Sequence, residues 1–233
     1  MAVSIEWFGL SSVRLTTKTQ NTEVTIVTDP PVQGLPSALR LRLEERTHQG
    51  LERPEAGSTG IKLPRNLAAD IVLINKNEAS YNNMEAIGGT SFVITNPGEY
   101  EIKNVFVYGL KNGDGQTVYV LEIDDVVIMH LGGIKKLSAE VLERAEHVDI
   151  LLIPVGGGDV LDAKQAGVLA NEIQPRVVIP IHYKTKDSKG SLDGVEKFLK
   201  EMGAQKAETM NKIKLSKKDL PQEEMKVMVL TNE

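Results

Sequence analysis

Short runs rich in β-branched and aromatic residues, broken by turn-forming residues, dominate the first half of the chain. They predict strands over Val3–Leu10, Ser12–Thr16, Glu23–Thr28, Ile71–Ile74, Phe92–Thr95, Val105–Leu110, Thr117–Ile123 and Val126–Met129. The dipeptides Asn112-Gly113 and Asp124-Asp125 favour tight turns between neighbouring strands. This half of the sequence therefore predicts mostly β-structure.

The pattern changes to alternating helices and strands in the second half. Helices are predicted over Leu137–Ala145, Asp162–Ile173 and Leu192–Met202, and strands over Ile150–Val155, Val177–Ile181 and Met225–Leu230. Continuous apolar strands are typical of a sheet that is buried on both faces. The whole order predicts two packed sheets with helices outside them. Polar loops at 75–83, 130–136 and 182–190 then meet at one edge of the sheets.

The segment at about 33–60 breaks this pattern, because it is rich in arginine, glutamate and proline. A helix from Ser37 to about Gln49 is one interpretation, and a strand over Leu39–Leu43 is another. We interpret the segment as an insertion into a single domain that spans residues 1–233. It is either a mobile loop or an arm that contacts a protein partner or a second copy.

Composition excludes several classes of function. With 233 residues, 41% of them hydrophobic, the chain can form one sizeable core. A net charge of −5 gives no general attraction to nucleic acid or membrane surfaces, and 4% aromatic content argues against a stacking platform for single strands. No cysteine is present, so thiolate metal sites are excluded. Without a signal peptide or membrane span, a cytoplasmic protein is expected.

Seven short motifs stand in order along nearly the whole chain. They are Trp7–Ser12, Thr28–Pro30, Ala69–Ile74, Asn96–Glu101, His130–Gly132, Ile153–Gly157 and Pro180–Tyr183. Together they resemble the metallo-β-lactamase fold, and within it a small subfamily similar to L-ascorbate-6-phosphate lactonases, usually labelled Zn-dependent hydrolases. The resemblance implies an α/β fold, a four-layer αββα sandwich with its active site at the edge. Relatives of this subfamily form oligomers, so the resemblance also allows a homo-oligomer.

The resemblance further implies a set of metal-binding positions. In that family a His-x-His-x-Asp-His loop follows the strand that matches Ile71–Ile74, and three later residues complete the site. These positions fall on Lys76, Glu78, Ser80, Tyr81, His130, Gly133 and His182 of this chain. Only His130 and His182 keep the family's residue, and the aspartate that bridges two metals falls on Gly133. We therefore interpret these seven positions as a vestigial active site.

This loss of ligands predicts a protein without a metal cofactor and without catalytic residues. A catalytic zinc site needs about three protein ligands and an open position for water. The ammonium group of Lys76 has no lone pair at neutral pH and repels a divalent ion. Gly133 supplies no carboxylate. On this interpretation the protein is a non-catalytic binding, regulatory or structural module.

Two enzymatic alternatives stay open. The first is a metal-dependent hydrolase, either a lactonase or a phosphodiesterase. Its Zn or Mn ion would be held by Glu78, His130 and His182, with or without Tyr81, and would activate a bound water. The second is a metal-free enzyme that uses Lys76 or His182 as a general base.

The charged and polar residues near these positions also have plainer interpretations. Lys76 and Glu78 can be loop charges or an ion pair, and the two histidines can simply be hydrogen-bonded. The lysines that surround the site, Lys76, Lys135, Lys136, Lys184 and Lys186, either form an ordinary hydrated rim or make the pocket cationic. A cationic pocket would bind an unknown small anionic ligand. The Gly156-Gly157-Gly158 run is better explained as a turn than as a phosphate cradle.

Overall fold

The computed structural model describes residues 1–32, 59–78, 81–188 and 190–232. The strands are β1 (Ala2–Gly9), β2 (Ser12–Thr19), β3 (Thr22–Thr28), β4 (Ile71–Leu73), β5 (Phe92–Ile94), β6 (Gly98–Ile102), β7 (Val105–Lys111), β8 (Thr117–Ile123), β9 (Val126–His130), β10 (Ile150–Pro154), β11 (Val177–Ile181), β12 (Glu208–Met210), β13 (Ile213–Ser216) and β14 (Lys226–Leu230). The α-helices are α1 (Ala139–Leu142), α2 (Ala163–Ile173) and α3 (Val195–Glu201).

The strands form two sheets, one of six strands and one of eight. The six-stranded sheet has the order β13-β1-β2-β3-β4-β5, and the eight-stranded sheet has the order β12-β14-β11-β10-β9-β8-β7-β6. Strands β3, β4 and β5 run parallel to one another, as do β9, β10, β11 and β14. Parallel strands end at the same edge of a sheet, so the loops after β3 and β4, and those after β9 and β11, are grouped by the topology.

The sheets pack through one large apolar core. Strand alternation turns Ile5 and Trp7 of β1 inward, while all five residues of β10 are buried. A second, smaller core lies on the other face of the six-stranded sheet, where Ile61 and Leu67 pack on it. Helix α2 begins at a capping box in which Asp162 accepts from the Gln165 amide at 2.8 Å.

The predicted mixed α/β sandwich is confirmed, and so are both predicted hairpin turns, at 112–113 and 124–125. The prediction missed three short strands, β6, β12 and β13, and made the first and last helices too long. The alternatives for residues 37–49 lie outside the described residues. The assignment of residues 1–233 to one domain with an insertion remains a prediction.

One hydroxyl group joins the two sheets. Tyr119 of β8 is fully buried, and its Oη lies 2.9 Å from the carbonyl oxygen of Ile74 and 2.9 Å from that of Ile94. The first carbonyl follows β4 and the second ends β5, so the contact ties the eight-stranded sheet to the six-stranded one.

Tyr119→Phe is expected to lower the free energy of unfolding by about 1 to 2 kcal/mol, because buried carbonyl groups lose a donor while the ring stays in place. Urea unfolding at neutral pH measures the loss. Tyr108→Phe, at a half-buried position on the neighbouring strand, is the matched control and is expected to change stability by less than about 0.5 kcal/mol. Equal losses in the two variants would contradict the role given to Tyr119.

Candidate functional site

Asp29 connects the ends of β3 and β4. It follows β3 with a φ of 39°, and its amide donates to the carbonyl of Leu73 at 2.9 Å. Its Oδ1 accepts from the amide of Asn75 at 2.7 Å, while its buried Oδ2 has no hydrogen-bond partner among the described residues. Burial raises the pKa of Asp29 to about 7, against the opposing effects of the Asn75 amide and the nearby Ser11 side chain. The carboxyl can therefore gain or lose a proton near neutral pH.

Asn75 fixes the loop that follows β4. Its Nδ2 donates to the carbonyl of Thr117 at 2.6 Å, and its own carbonyl accepts from the Thr117 amide at 2.9 Å. Gly132 must pass close to this side chain, since a Cβ atom there would lie 2.5 Å from Cγ of Asn75. With a φ of 66°, Gly132 also has a backbone conformation that favours glycine. The loops after β4 and β9 are therefore in direct contact.

His130, the last residue of β9, is fully buried behind these loops. Its Nε2 lies 2.9 Å from the carbonyl oxygen of Ser11 and 3.2 Å from Oγ1 of Thr28. A carbonyl only accepts, so Nε2 carries the proton and Nδ1 keeps its lone pair. Nδ1 is buried and, in the part of the chain that the structure describes, has no partner. Burial lowers the pKa of His130 to about 4, so the imidazole is neutral at pH 7.

His182 follows β11 with a φ of 51°, and its amide donates to the carbonyl of Leu10 at 2.8 Å. Its Nδ1 is buried and, within residues 1–32, 59–78, 81–188 and 190–232, has no hydrogen-bond partner. Burial lowers the pKa of His182 to about 4, although the negative charge of Asp159 opposes the shift. His182 is thus a second neutral imidazole with an unused ring nitrogen.

Tyr81 is half-buried next to His182, with their ring centroids 6.3 Å apart. Burial, together with the negative charges of Asp29, Glu78 and Asp159, raises the pKa of Tyr81 to about 12. The phenol therefore stays protonated at neutral pH and can donate a hydrogen bond.

We use the term strand-end site for the polar residues that these loops group together. They are Asp29, Asn75, Tyr81, His130, Gly133 and His182. Four of them were predicted site residues, namely Tyr81, His130, Gly133 and His182. Asp29 and Asn75 were missed as site residues, although Asp29 stands in the Thr28-Asp29-Pro30 motif.

The other predicted positions do not join this group. Lys76 Nζ lies 2.7 Å from Oε1 of Glu78, and the two side chains are 42% and 50% exposed. Glu78 is thus directed to Lys76 at the surface. Ser80 lies outside the described residues.

The predicted anion-binding lysines are exposed beyond the site. Lys135 and Lys136 follow Ile134, and Lys184 and Lys186 follow Tyr183; all four are exposed. Lys76 forms an ion pair with Glu78. Anion binding by these lysines remains a prediction. Gly157 forms a turn, with its amide donating to the carbonyl of Leu161 at 2.9 Å.

Comparison with known proteins identifies the family. The model of the beta-lactamase superfamily domain matches residues 4–182. The chain belongs to the metallo-β-lactamase superfamily. A Thermotoga maritima structure assigned to this superfamily is 26% identical, covers 98% of both chains and superposes with a TM-score of 0.70. Igni18, a metallo hydrolase of Ignicoccus hospitalis, is 16% identical, has a TM-score of 0.57 and covers 93% of this chain and 99% of its own.

Curated relatives of this metallo-β-lactamase superfamily member are named metal-dependent hydrolases. A UPF0173 metal-dependent hydrolase of Pyrococcus horikoshii is 29% identical over 48% of this chain and 53% of its own length. One from Staphylococcus carnosus is 36% identical over 33% of this chain and 37% of its own length. The chain therefore matches about half or less of these relatives' lengths. Among the described residues, no helix is long and apolar enough to cross a membrane. A cytoplasmic location remains a prediction.

The names of the Pyrococcus horikoshii and Thermotoga maritima relatives contradict the prediction that the protein has no metal cofactor, and they do not support a purely non-catalytic role. The prediction was wrong because it inferred the cofactor from ligand identity alone. The alternative ligand set of Glu78, His130 and His182 is not assembled either. In the part of the chain described, no three His, Cys, Asp or Glu residues are grouped to hold a metal ion. The described residues thus do not fit a complete metal site, and we assign no reaction step to a metal.

Proposed function

We propose that the protein is a metal-dependent hydrolase and that the strand-end site is where its substrate binds. The names of its relatives support the reaction class. Hydrolysis adds water across one ester bond: the water oxygen joins the acyl or phosphoryl centre, and its proton passes to the leaving oxygen.

The observation that carries the proposal is a group of unused polar atoms. Asp29 Oδ2, Asn75 Oδ1, His130 Nδ1 and His182 Nδ1 are all buried and, within the described chain, all lack a hydrogen-bond partner. Each such atom costs about 1 to 3 kcal/mol when it stays unpaired. A core that serves folding alone pairs most of its buried polar atoms. Their grouping at strand ends therefore supports a site that a ligand completes.

The polar residues of the strand-end site differ in protonation state and can therefore play different roles. Asp29 can exchange a proton near neutral pH, since burial raises its pKa to about 7. His130 and His182 are neutral and present ring nitrogens, and Tyr81 is a protonated donor. When bound, a metal ion in such enzymes polarises the substrate or activates water. Because fewer than three ligands are grouped in the described chain, we expect metal to be needed in the assay buffer.

The test is an assay of purified, EDTA-treated protein on 4-nitrophenyl acetate and bis(4-nitrophenyl) phosphate, with and without Zn²⁺ or Mn²⁺. Turnover that needs added metal is expected, and His182→Ala is expected to lower kcat/KM about 100-fold, because a polar group at the reacting centre is removed. His147→Ala, at an exposed surface position, controls for the loss of an imidazole. If neither ester is hydrolysed with either metal, the hydrolase proposal fails and the non-catalytic alternative is favoured.

A further inference from the structure

A second cavity lies on the face of the six-stranded sheet that turns away from the main core. It has a volume of about 490 Å³ and is bordered by β1, β2, residues 62–64, residues 211–212 and residues 231–232. None of its lining residues belongs to the strand-end site. We call this cavity the β1 cleft. Its volume lies within the range of about 300 to 1,000 Å³ that is typical of small-molecule sites.

Arg14 of β2 is held in place at this cleft. It lies directly opposite Glu6 of β1, and its Nη2 is 2.5 Å from Oε2 of Glu6. Its Cζ atom lies 5.5 Å from the centre of the Phe8 ring, and the side chain is only 28% exposed. Nη1 takes no part in these contacts. The guanidinium group therefore keeps a donor for a ligand and loses little conformational freedom when one binds.

Lys62 and Lys212 bring two further positive charges to the same cleft. Lys62 is exposed, and it stands between Ile61 and Leu63, which are both buried in the smaller core. Nζ of Lys212 lies 3.1 Å from Oε1 of Glu6. Within the described part of the chain, Lys62 makes no ion pair. It therefore adds a positive charge that no described carboxylate neutralises.

The β1 cleft carries a net positive charge. Its charged lining residues are Arg14, Lys62, Lys212 and Glu6, so three positive side chains and one negative side chain leave a charge of +2. Both oxygens of Glu6 are already engaged, one by Arg14 and the other by Lys212. The whole chain, in contrast, has a net charge of −5. Positive side chains grouped in this way repel one another, and an anion bound between them removes that cost.

The groups that line the cleft are suited to an oxyanion. Guanidinium and ammonium groups are the usual protein donors for carboxylate and phosphate oxygens. The side-chain amides of Asn211 and Asn232 also line the cleft and add uncharged hydrogen-bonding groups. A local charge of +2 matches a ligand with two negative charges. The net negative charge of the chain disfavours a long polyanion such as a nucleic acid, which favours a small molecule.

We propose that the β1 cleft binds a small molecule with a doubly charged oxyanion group through Arg14, Lys62 and Lys212. The chemistry that the cleft recognises is two negative charges on oxygen, which a phosphate monoester or a dicarboxylate provides. The proposal goes beyond the hydrolase function and does not depend on it, because the cleft and the strand-end site have no residue in common.

NMR titration of the whole chain with inorganic phosphate and with malonate tests the cleft, at low ionic strength and about pH 8, where both probes are doubly charged. The amide signals of Lys62 and Lys212 are expected to shift saturably, while that of Gly133 in the strand-end site stays in place. Lys62→Gln is expected to weaken binding about tenfold, because one charge-assisted contact is lost, and Arg14→Gln at least as much. Lys18→Gln, at an exposed position of β2 outside the cleft, is the matched control and is expected to leave binding unchanged.

Acetate, with a single charge, is expected to bind about tenfold more weakly than either probe. Tighter binding of phosphate than of malonate would assign the cleft to a phosphate monoester, and the reverse order would assign it to a dicarboxylate. Signals of Lys62 and Lys212 that shift with neither probe would overturn the proposal. Equal weakening in Lys18→Gln and Lys62→Gln, or acetate binding as tight as that of both probes, would overturn it as well. The titration does not measure hydrolysis, so failure of the hydrolase proposal leaves its result unchanged.

Discussion

Gly156→Ala is expected to lower the free energy of unfolding by about 3 kcal/mol and to abolish the function of the strand-end site. A Cβ atom on Gly156 would lie 2.2 Å from the backbone carbonyl oxygen of His182 and 3.1 Å from Cδ2 of Leu192. A leucine methyl group can rotate aside, but the carbonyl moves only together with the backbone of His182. Val155 donates to Ile181 at 3.1 Å, so the ends of β10 and β11 are held in register on either side of the clash.

Relief of this clash has to move His182 itself. Its imidazole nitrogen faces Gly133, so a displaced backbone also moves Nδ1 away from the other residues of the strand-end site. Urea unfolding measures the stability, and hydrolysis of 4-nitrophenyl acetate with added Zn²⁺ or Mn²⁺ measures the site. Gly113→Ala is the matched control, because the added Cβ would lie no closer than 3.7 Å to its nearest neighbour, Ser138 Cβ. A Gly156→Ala protein as stable as this control would show that the strand ends are free to separate.

The sequence pattern predicted the strands that carry continuous or regularly alternating apolar residues. Strand β8 was predicted with both ends correct, and so was β11. Strands β6 and β12 were missed because they lie at sheet edges and expose polar side chains such as Glu99, Glu101 and Glu208. An edge strand buries little apolar surface, so its pairing is decided by tertiary contacts that the pattern does not contain.

The sequence likewise predicted only some residues of the candidate site. Motif order located Tyr81, His130, Gly133 and His182, because each stands at a fixed distance from a recognisable strand. Motif order did not reveal Asp29 as a site residue, since an aspartate before proline is an ordinary end to a strand. Its importance comes from complete burial and from its contact with Asn75, 46 residues later in the chain. Such a contact exists only after β3 and β4 have paired.

For Glu78 the error is the reverse: the sequence made it a candidate ligand, but its side chain does not join the strand-end site. Residue type made it a reasonable metal ligand, but its carboxylate is paired with Lys76 at the surface. Oppositely charged side chains two residues apart in a loop can form an ion pair whichever residues line the site beneath the loop. Ligand prediction from spacing therefore fails when the loop itself supplies the counter-charge.

His130→Gln is expected to reduce the acid sensitivity of the protein. The folded-state pKa of His130 is about 4, below its ordinary value of 6.5, because burial disfavours the charged form. As the pH falls below 6.5, His130 therefore takes up a proton in the unfolded chain but stays neutral in the folded chain. The stability that neutral His130 allows is present above pH 6.5 and is lost as the pH falls toward 4, by about 2 to 3 kcal/mol at pH 4.5. Glutamine cannot take up this proton.

Urea unfolding of the native protein and of His130→Gln measures how much unfolding free energy each loses between pH 7 and pH 4.5. The prediction concerns the difference between these two losses. His182 titrates in the same direction as His130, and Asp29 titrates in the opposite direction, since its pKa is raised to about 7. Both groups are present in both proteins, so their contributions cancel in the difference. His147→Asn controls for the loss of an exposed imidazole at a φ of 62° that asparagine tolerates. Parallel pH profiles for the native protein and His130→Gln would mean that His130 accepts a proton while folded, which requires water or a carboxylate to reach Nδ1.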